Sequence, residues 1–173
     1  MEAPATSALS RGAVPPHSTE AERSVLGAML QDGAAVTAAA ELLRPEDFYT
    51  PAHKEIFDAA QSLAAAGMAV DLVTMDAELS RRGTLPGVGG VEYLIELTQF
   101  VPTTANIRYY IRIVSEKSTL RRLIGAAGEI SQASYAQEKE LPEVLALSEK
   151  LIFDIVMQRA GGEELYVYDT MVD

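Results

Sequence analysis

Residues 106–137 read NIRYYIRIVSEKSTLRRLIGAAGEISQASYAQ, and the way this stretch is read decides the fold. Ile107, Tyr110, Ile111, Val114, Leu120, Leu123, Ile124, Ala127 and Ile130 recur at helical spacing across roughly nine turns, without an internal proline. Thr103 or Thr104 is placed to cap this run. A helix of that length projects beyond a small globule. The segment YAQEKELP, 135–142, breaks the pattern. A second helix is then predicted to about Ala160, with Val144, Leu147, Leu151 and Ile155 on one face and Leu145, Ile152 and Val156 beside it. Two such helices joined by a short connection form an antiparallel hairpin.

Each helix of a pair covers only part of the other, so stripes this wide leave apolar surface wet unless a partner covers it. A second copy packing hairpin to hairpin as a four-helix bundle is one solution. Folding of the hairpin onto its own globule is the alternative. Under the first reading the self-association interface consists of Ile107, Tyr110, Ile111, Val114, Leu120, Leu123, Ile124, Ala127, Ile130, Val144, Leu147, Leu151 and Ile155.

Upstream, every element reads as a short helix. Residues 1–16 are small and proline-bearing and are expected to form a flexible tail. Ser18 or Thr19 can cap the next helix, and Thr19 with Glu22 three residues on fits a capping box. AAVTAAAELL is helical by propensity and stops before Pro45. Thr50 is expected to cap a helix with Pro51 at its first position and Gly67 beyond its end. DLVTMDAELSRRG, 71–83, supplies another helix, and GTLPGVGG reads as a loop before VEYLIELTQF. The expected fold is therefore all-α: a compact multi-helix globular subdomain, 17–102, followed by a projecting hairpin, 103–160. Gly161 and Gly162 are expected to end the hairpin, leaving 163–173 as a short, weakly alternating segment.

Composition excludes several functions. The 173 residues carry 14 basic and 25 acidic side chains, a formal charge of −11 that repels phosphate backbones and argues against direct nucleic-acid binding. The basic doublets Arg81–Arg82 and Arg121–Arg122 are read as solvated helix faces paired with nearby carboxylates. No cysteine is present, so disulfides and thiolate metal sites are ruled out, and no run is apolar enough to span a membrane. With no secretory signal at the N-terminus, a cytoplasmic location is expected. His17 and His53 are the only histidines, too few for a histidine-rich metal site. His53, on an apolar face, reads as a hydrogen-bonded, partly buried side chain, and His17 as shaping the turn into the first helix. The four glycines of GTLPGVGG lack the lysine and hydroxyl of a phosphate loop. No catalytic, cofactor-binding or metal-ligating residues are assigned, and neither ATPase nor unwinding activity is expected of this chain.

Taken together and in order, PPHSTEAERSVLGAML (15–30), DFYTPAHKEIFDAA (47–60), VDLVTMDAEL (70–79) and GGVEYLIELTQFVPTTANIRYYIRIVSEK (89–117) resemble the N-terminal domain of the bacterial hexameric replicative DNA helicases of the DnaB type. The likeness runs from residue 15 to about 160. It implies a collar domain whose hairpins pair subunits into dimers or a trimer of dimers, and which docks a DnaG-type primase during DNA replication. It also implies that ATP and magnesium belong to a RecA-like motor absent from this chain, with residues 161–173 beginning the linker to it. A rival reading is a small dimeric helix-turn-helix DNA-binding regulator, since PEDFYTPAHKEIFDAA joins helices by a short connection. Against it, Lys54 is the only basic residue there, with Glu55 and Asp58 around it.

Overall fold

The computed structural model describes residues 13–100 and 106–169, with side chains described to residue 159. Among these residues the chain forms eight α-helices and one 3₁₀ turn, without a strand. Helix α1, Thr19–Met29, is the hub. It is buried on nearly every side, through Ala21, Ser24, Val25, Leu26, Gly27, Ala28 and Met29. Its small residues let neighbouring helices approach closely. Packed around it are α2 (Gly33–Leu42), α3 (Pro51–Ala65), α6 (Gly90–Phe100) and α7 (Ile107–Ala136). The 3₁₀ turn Pro45–Asp47 and helices α4 (Leu72–Arg82) and α5 (Leu85–Val88) close the rest of the globule. Phe48 and Phe57, both fully buried with ring centroids 4.8 Å apart, lie at its centre beside Leu26, Ile56, Met75 and Leu94.

Local rules account for most boundaries. Asp71 and Thr74 form a reciprocal capping box at the start of α4, and Gly83 ends it in the left-handed region at φ 72°. The GTLPGVGG segment differs from the expected loop, because Leu85–Val88 complete one helical turn with Pro86 near its start. Its glycines have a steric role: Gly89 and Gly90 both take positive φ, and a Cβ on Gly89 would lie 2.8 Å from the Cβ of Tyr93.

Of the caps expected for α1 and α3, one is chosen between its two candidates and one makes no cap bond. Ser18, not Thr19, caps α1 by accepting from the Ala21 N–H, so the Thr19–Glu22 capping box does not form. Thr50 stands at the N-cap of α3 but makes no side-chain cap bond. Glu22 reaches this end from across the core, its Oε1 accepting from the N–H groups of Tyr49 and Thr50, just ahead of the helix, at 2.9 and 3.2 Å. A buried carboxylate at a helix N-terminus satisfies donors that the helix cannot.

At 30 residues, α7 spans about 45 Å. Gln137, at φ 52°, turns the chain, and α8 (Leu141–Asp169) returns along α7 as the second arm of the hairpin. The expected end at Gly161–Gly162 is not where α8 stops. Its backbone stays helical to Asp169, replacing the weakly alternating segment expected there. Glycine in a helix costs only about 1 kcal/mol relative to alanine, less than cooperative propagation from 20 preceding residues can absorb. The expected caps Thr103 and Thr104, and residues 1–12 of the expected tail, lie outside the described residues. The last two residues of that tail are held: Pro16 O accepts from Arg121 Nη1 at 2.7 Å, and Pro15 O lies 2.8 Å from His17 Nδ1.

Candidate assembly site: the hairpin and its anchor

The apolar residues of the long helix fall into two sets. Ile111 and Val114 are buried in the globular core, and Ile107 and Tyr110 pack against it. Ile111 and Val114 are thus closed to a second chain and Ile107 and Tyr110 only partly open, which differs from the single interface stripe expected from spacing. The boundary expected between residues 102 and 103 moves with them, since the first turns of α7 belong to the globule. The reason is that α1 and α2, with the 3₁₀ turn, lie against this end of α7 and need an apolar cover.

Beyond residue 122 the helix leaves the globule, and apolar side chains become exposed from Leu120 onward. Ala126 is buried and Ile130 half-buried, whereas Leu120, Leu123, Ile124 and Ala127 are exposed. At about 100° per residue, Leu120, Ile124 and Ala127 lie on the side of α7 opposite Ser118, Arg122 and Ala126. On α8, Ile155 is buried and Val144, Leu147 and Leu151 are half-buried against α7. Their neighbours Leu145, Ile152, Phe153 and Val156 remain exposed. Ile124 at 56% and Val156 at 55% exposure are large aliphatic side chains left in water by the single chain. Val144, Leu147, Leu151 and Ile155, expected at the interface with a second copy, thus face α7 within the hairpin instead, and a second apolar face on each arm has no cover among the described residues.

A polar cluster fixes the hairpin to the globule. Asp47, in the 3₁₀ turn, directs Oδ2 at the Arg44 N–H (2.7 Å), while its Oδ1 accepts from Ser118 Oγ (2.7 Å) and Arg122 Nη2 (2.5 Å). Arg121 Nη2 donates to the Asp47 carbonyl at 2.6 Å. The Arg121 guanidinium also lies 5.6 Å from the centre of the Tyr49 ring, on which His17 stacks at 4.1 Å. Burial lowers the pKa of Arg121 against the pull of Glu22 and Asp47. The Arg121–Arg122 doublet is thus an anchor and not the solvated face expected of it. A legible signal existed: Ser118 and Arg122, four residues apart, continue the line of Ile111 and Val114 with polar side chains.

The other doublet behaves as expected. Arg82 donates to Glu55, Asp58, Glu78 and Ser62, and Arg81 makes a two-pronged pair with Glu78. Burial works to lower the Arg82 pKa, but the hydrogen bonds to its three carboxylates raise it overall. The same contacts hold Glu78 down at about 2.

A third cluster lies inside the globule. His53 is buried, with Nε2 2.6 Å from the Tyr93 hydroxyl and Nδ1 3.4 Å from Glu22 Oε1. Burial, foremost, pushes the Tyr93 phenol pKa up. His53 is the hydrogen-bonded core histidine that its position on an apolar face suggested. Among the described residues no group of three or more histidine, aspartate or glutamate side chains could hold a metal ion, and no helix is long and apolar enough to cross a membrane.

The described residues thus form a helical globule carrying an anchored hairpin with exposed apolar faces. The chain belongs to the DnaB-like helicase N-terminal domain family, whose model matches residues 14–116. It is 46% identical over 159 residues to the replicative DNA helicase DnaB of Geobacillus stearothermophilus, covering 92% of this chain and 35% of that protein. Against the replicative DNA helicase DnaC of Bacillus subtilis (strain 168) the identity is 42% over the same shares. The chain thus spans about a third of the length of these curated relatives. The crystal structure of the N-terminal domain of DnaB helicase from Mycobacterium tuberculosis matches with a TM-score of 0.78 at 44% identity, over 82% of this chain and 99% of that one. A DnaB-like replicative helicase, solved with attention to its interactions with primase, matches with a TM-score of 0.68 at 25% identity, over 89% and 34%. Nothing in this kinship or in the fold supports the helix-turn-helix regulator: Ile56 and Phe57 of the proposed recognition segment are core residues.

Proposed function

We propose that this chain is the collar portion of a replicative DNA helicase, pairing subunits through its hairpin and presenting a surface on which a DnaG-type primase docks. The observation that carries the reading is the second apolar face of each hairpin arm, Leu120, Leu123 and Ile124 on α7 and Leu145, Ile152 and Val156 on α8, exposed in the single chain. Apolar surface of this kind gains about 25 cal/mol for each Å² removed from water, and a second hairpin is a partner of matching length and chemistry. Pairs of subunits then associate as a trimer of dimers in the hexamer of the whole protein. Strand separation, with the ATP and magnesium it consumes, belongs to the motor of that protein, and the complex acts in the cytoplasm.

Docking of a primase is supported by the likeness to a DnaB-like replicative helicase described together with its interactions with primase. Light scattering across a concentration series tests the pairing: a dimer or hexamer mass that falls to monomer on dilution is expected. A monomer at every concentration refutes it. Docking is tested by titrating labelled DnaG-type primase with the chain and following anisotropy, where a flat titration removes the primase from the proposal.

A further inference from the structure

The contacts that join α7 to the globule change in kind along the helix. Ile111 and Val114 make apolar contacts with the core. One turn later the side chains that meet the globule are Ser118, Arg121 and Arg122, and all of them bond to the 3₁₀ turn or to one another. Apolar burial is nearly indifferent to direction, whereas a guanidinium on a carboxylate is directional in plane and angle. Arg122 has a further contact: Nη1 donates to Gln158 Oε1 on α8 at 2.6 Å, while Nη2 holds Asp47 on the turn. One guanidinium therefore ties the turn and both arms of the hairpin.

We propose that Asp47, Ser118 and Arg122 form an angular latch that sets the direction in which the hairpin leaves the globule, with Arg122 as its principal positioning residue. Asp47 is built for the task, because its second oxygen is held by the Arg44 N–H and the carboxylate cannot turn with the helix. Past the latch, α7 is supported by α8 and not by the globule, so a small tilt at residues 118–122 is magnified towards the tip. The latch acts within one chain and stands whether or not hairpins pair.

The chain contains no cysteine, so two can be introduced cleanly as spin-label sites, Lys54→Cys on α3 and Gln132→Cys on α7, both at exposed positions. Labelled chain is diluted into unlabelled chain, so that dipolar spectroscopy reads distances within one molecule. Gln132 lies about 15 Å along the helix from Arg122, so a tilt of about 20° displaces the label by about 5 Å. Arg122→Met and Asp47→Asn are expected to shift or broaden the distance distribution by that order. Circular dichroism and amide protection at Leu94 and Leu97 should stay unchanged. Gln158→Ala, which removes only the α8 contact, should give a smaller change, and Arg122→Lys, which keeps the charge without the fork, an intermediate one. A narrow distribution that superimposes on the parent in folded Arg122→Met and Asp47→Asn overturns the latch and assigns the direction to Ile111 and Val114 instead. If both of these fail to fold, Ser118→Ala and Gln158→Ala decide by the same criterion.

Discussion

Glu22 and His53 stand 31 residues apart in sequence, yet Glu22 Oε1 lies 3.4 Å from His53 Nδ1 and both side chains are buried. The same carboxylate oxygen accepts from the N–H groups of Tyr49 and Thr50, so one side chain of α1 stands where the local cap of α3 would be. Replacing Glu22 with alanine leaves two backbone donors and an imidazole nitrogen without this acceptor. A loss of about 3 kcal/mol is expected on denaturant unfolding, since each buried unpaired polar group costs about 1–3 kcal/mol. An unchanged unfolding midpoint would show that water or another group takes over the cap.

Tyr93 reaches the same cluster from α6, its hydroxyl 2.6 Å from His53 Nε2. Tyr93→Phe keeps the ring and its packing but removes the hydrogen bond. Stability is expected to fall by about 1 kcal/mol. A double-mutant cycle with His53→Phe should show positive coupling, and additive losses would place the two side chains in independent environments.

The two apolar sets on α7 predict opposite consequences for similar substitutions. Ile111→Ala, in the core, should destabilise the monomer by about 3 kcal/mol. Ile124→Asp with Val156→Asp, at exposed positions, should leave chemical stability extrapolated to the monomer within about 0.5 kcal/mol while moving the mass distribution towards monomer. The pair of results matters more than either alone. If Ile124→Asp with Val156→Asp unfolds the chain at low concentration, the exposed face is covered within the molecule.

Glu78 gives a pH prediction with a definite sign. Hydrogen bonds from Arg81, then Arg82, hold its carboxyl at about 2 instead of the ordinary 4.5. The folded-state value lies below the unfolded one, so the stabilising contribution is fully present above the ordinary carboxylate pKa and is lost as pH falls from there towards about 2. An NMR titration of the Glu78 side-chain carboxyl should show the depressed midpoint, and Arg81→Ala should raise it. A midpoint in the ordinary glutamate range in the parent protein contradicts the pair. Because the pair lies at the surface, its effect on global unfolding should be small.

Much of the fold was legible because its signals are short-range. The helices at 51–65 and 72–82 followed from Pro51, Asp71, Gly67 and Gly83, residues whose backbone preferences act within one turn. The hairpin followed from a period of apolar residues longer than any globule of this size needs. At the ends of elements the same reasoning was weaker. Ser18 took the cap that Thr19 also fitted, and the backbone ran helically through Gly161 and Gly162 because two glycines cost less than the sequence pattern suggested.

The sequence by itself determined that this chain is all-helical, which residues line each helical face, and that those faces exceed what one hairpin can cover. Periodicity and capping chemistry depend on neighbours within four residues, so they survive without knowledge of the rest of the molecule. Only the tertiary structure decided which neighbour each face meets. Ile111 and Leu120 belong to the same apolar pattern, yet nine residues put them on opposite sides of α7, so Ile111 is buried against the globule and Leu120 is exposed. Asp47 and Arg122 are 75 residues apart, and spacing alone marked only the Arg121–Arg122 doublet, as a solvated face. They became the anchor of the hairpin because the packing of α7 on α1 brings the 3₁₀ turn against residues 118–122, and a carboxylate buried there must find donors where the fold supplies them.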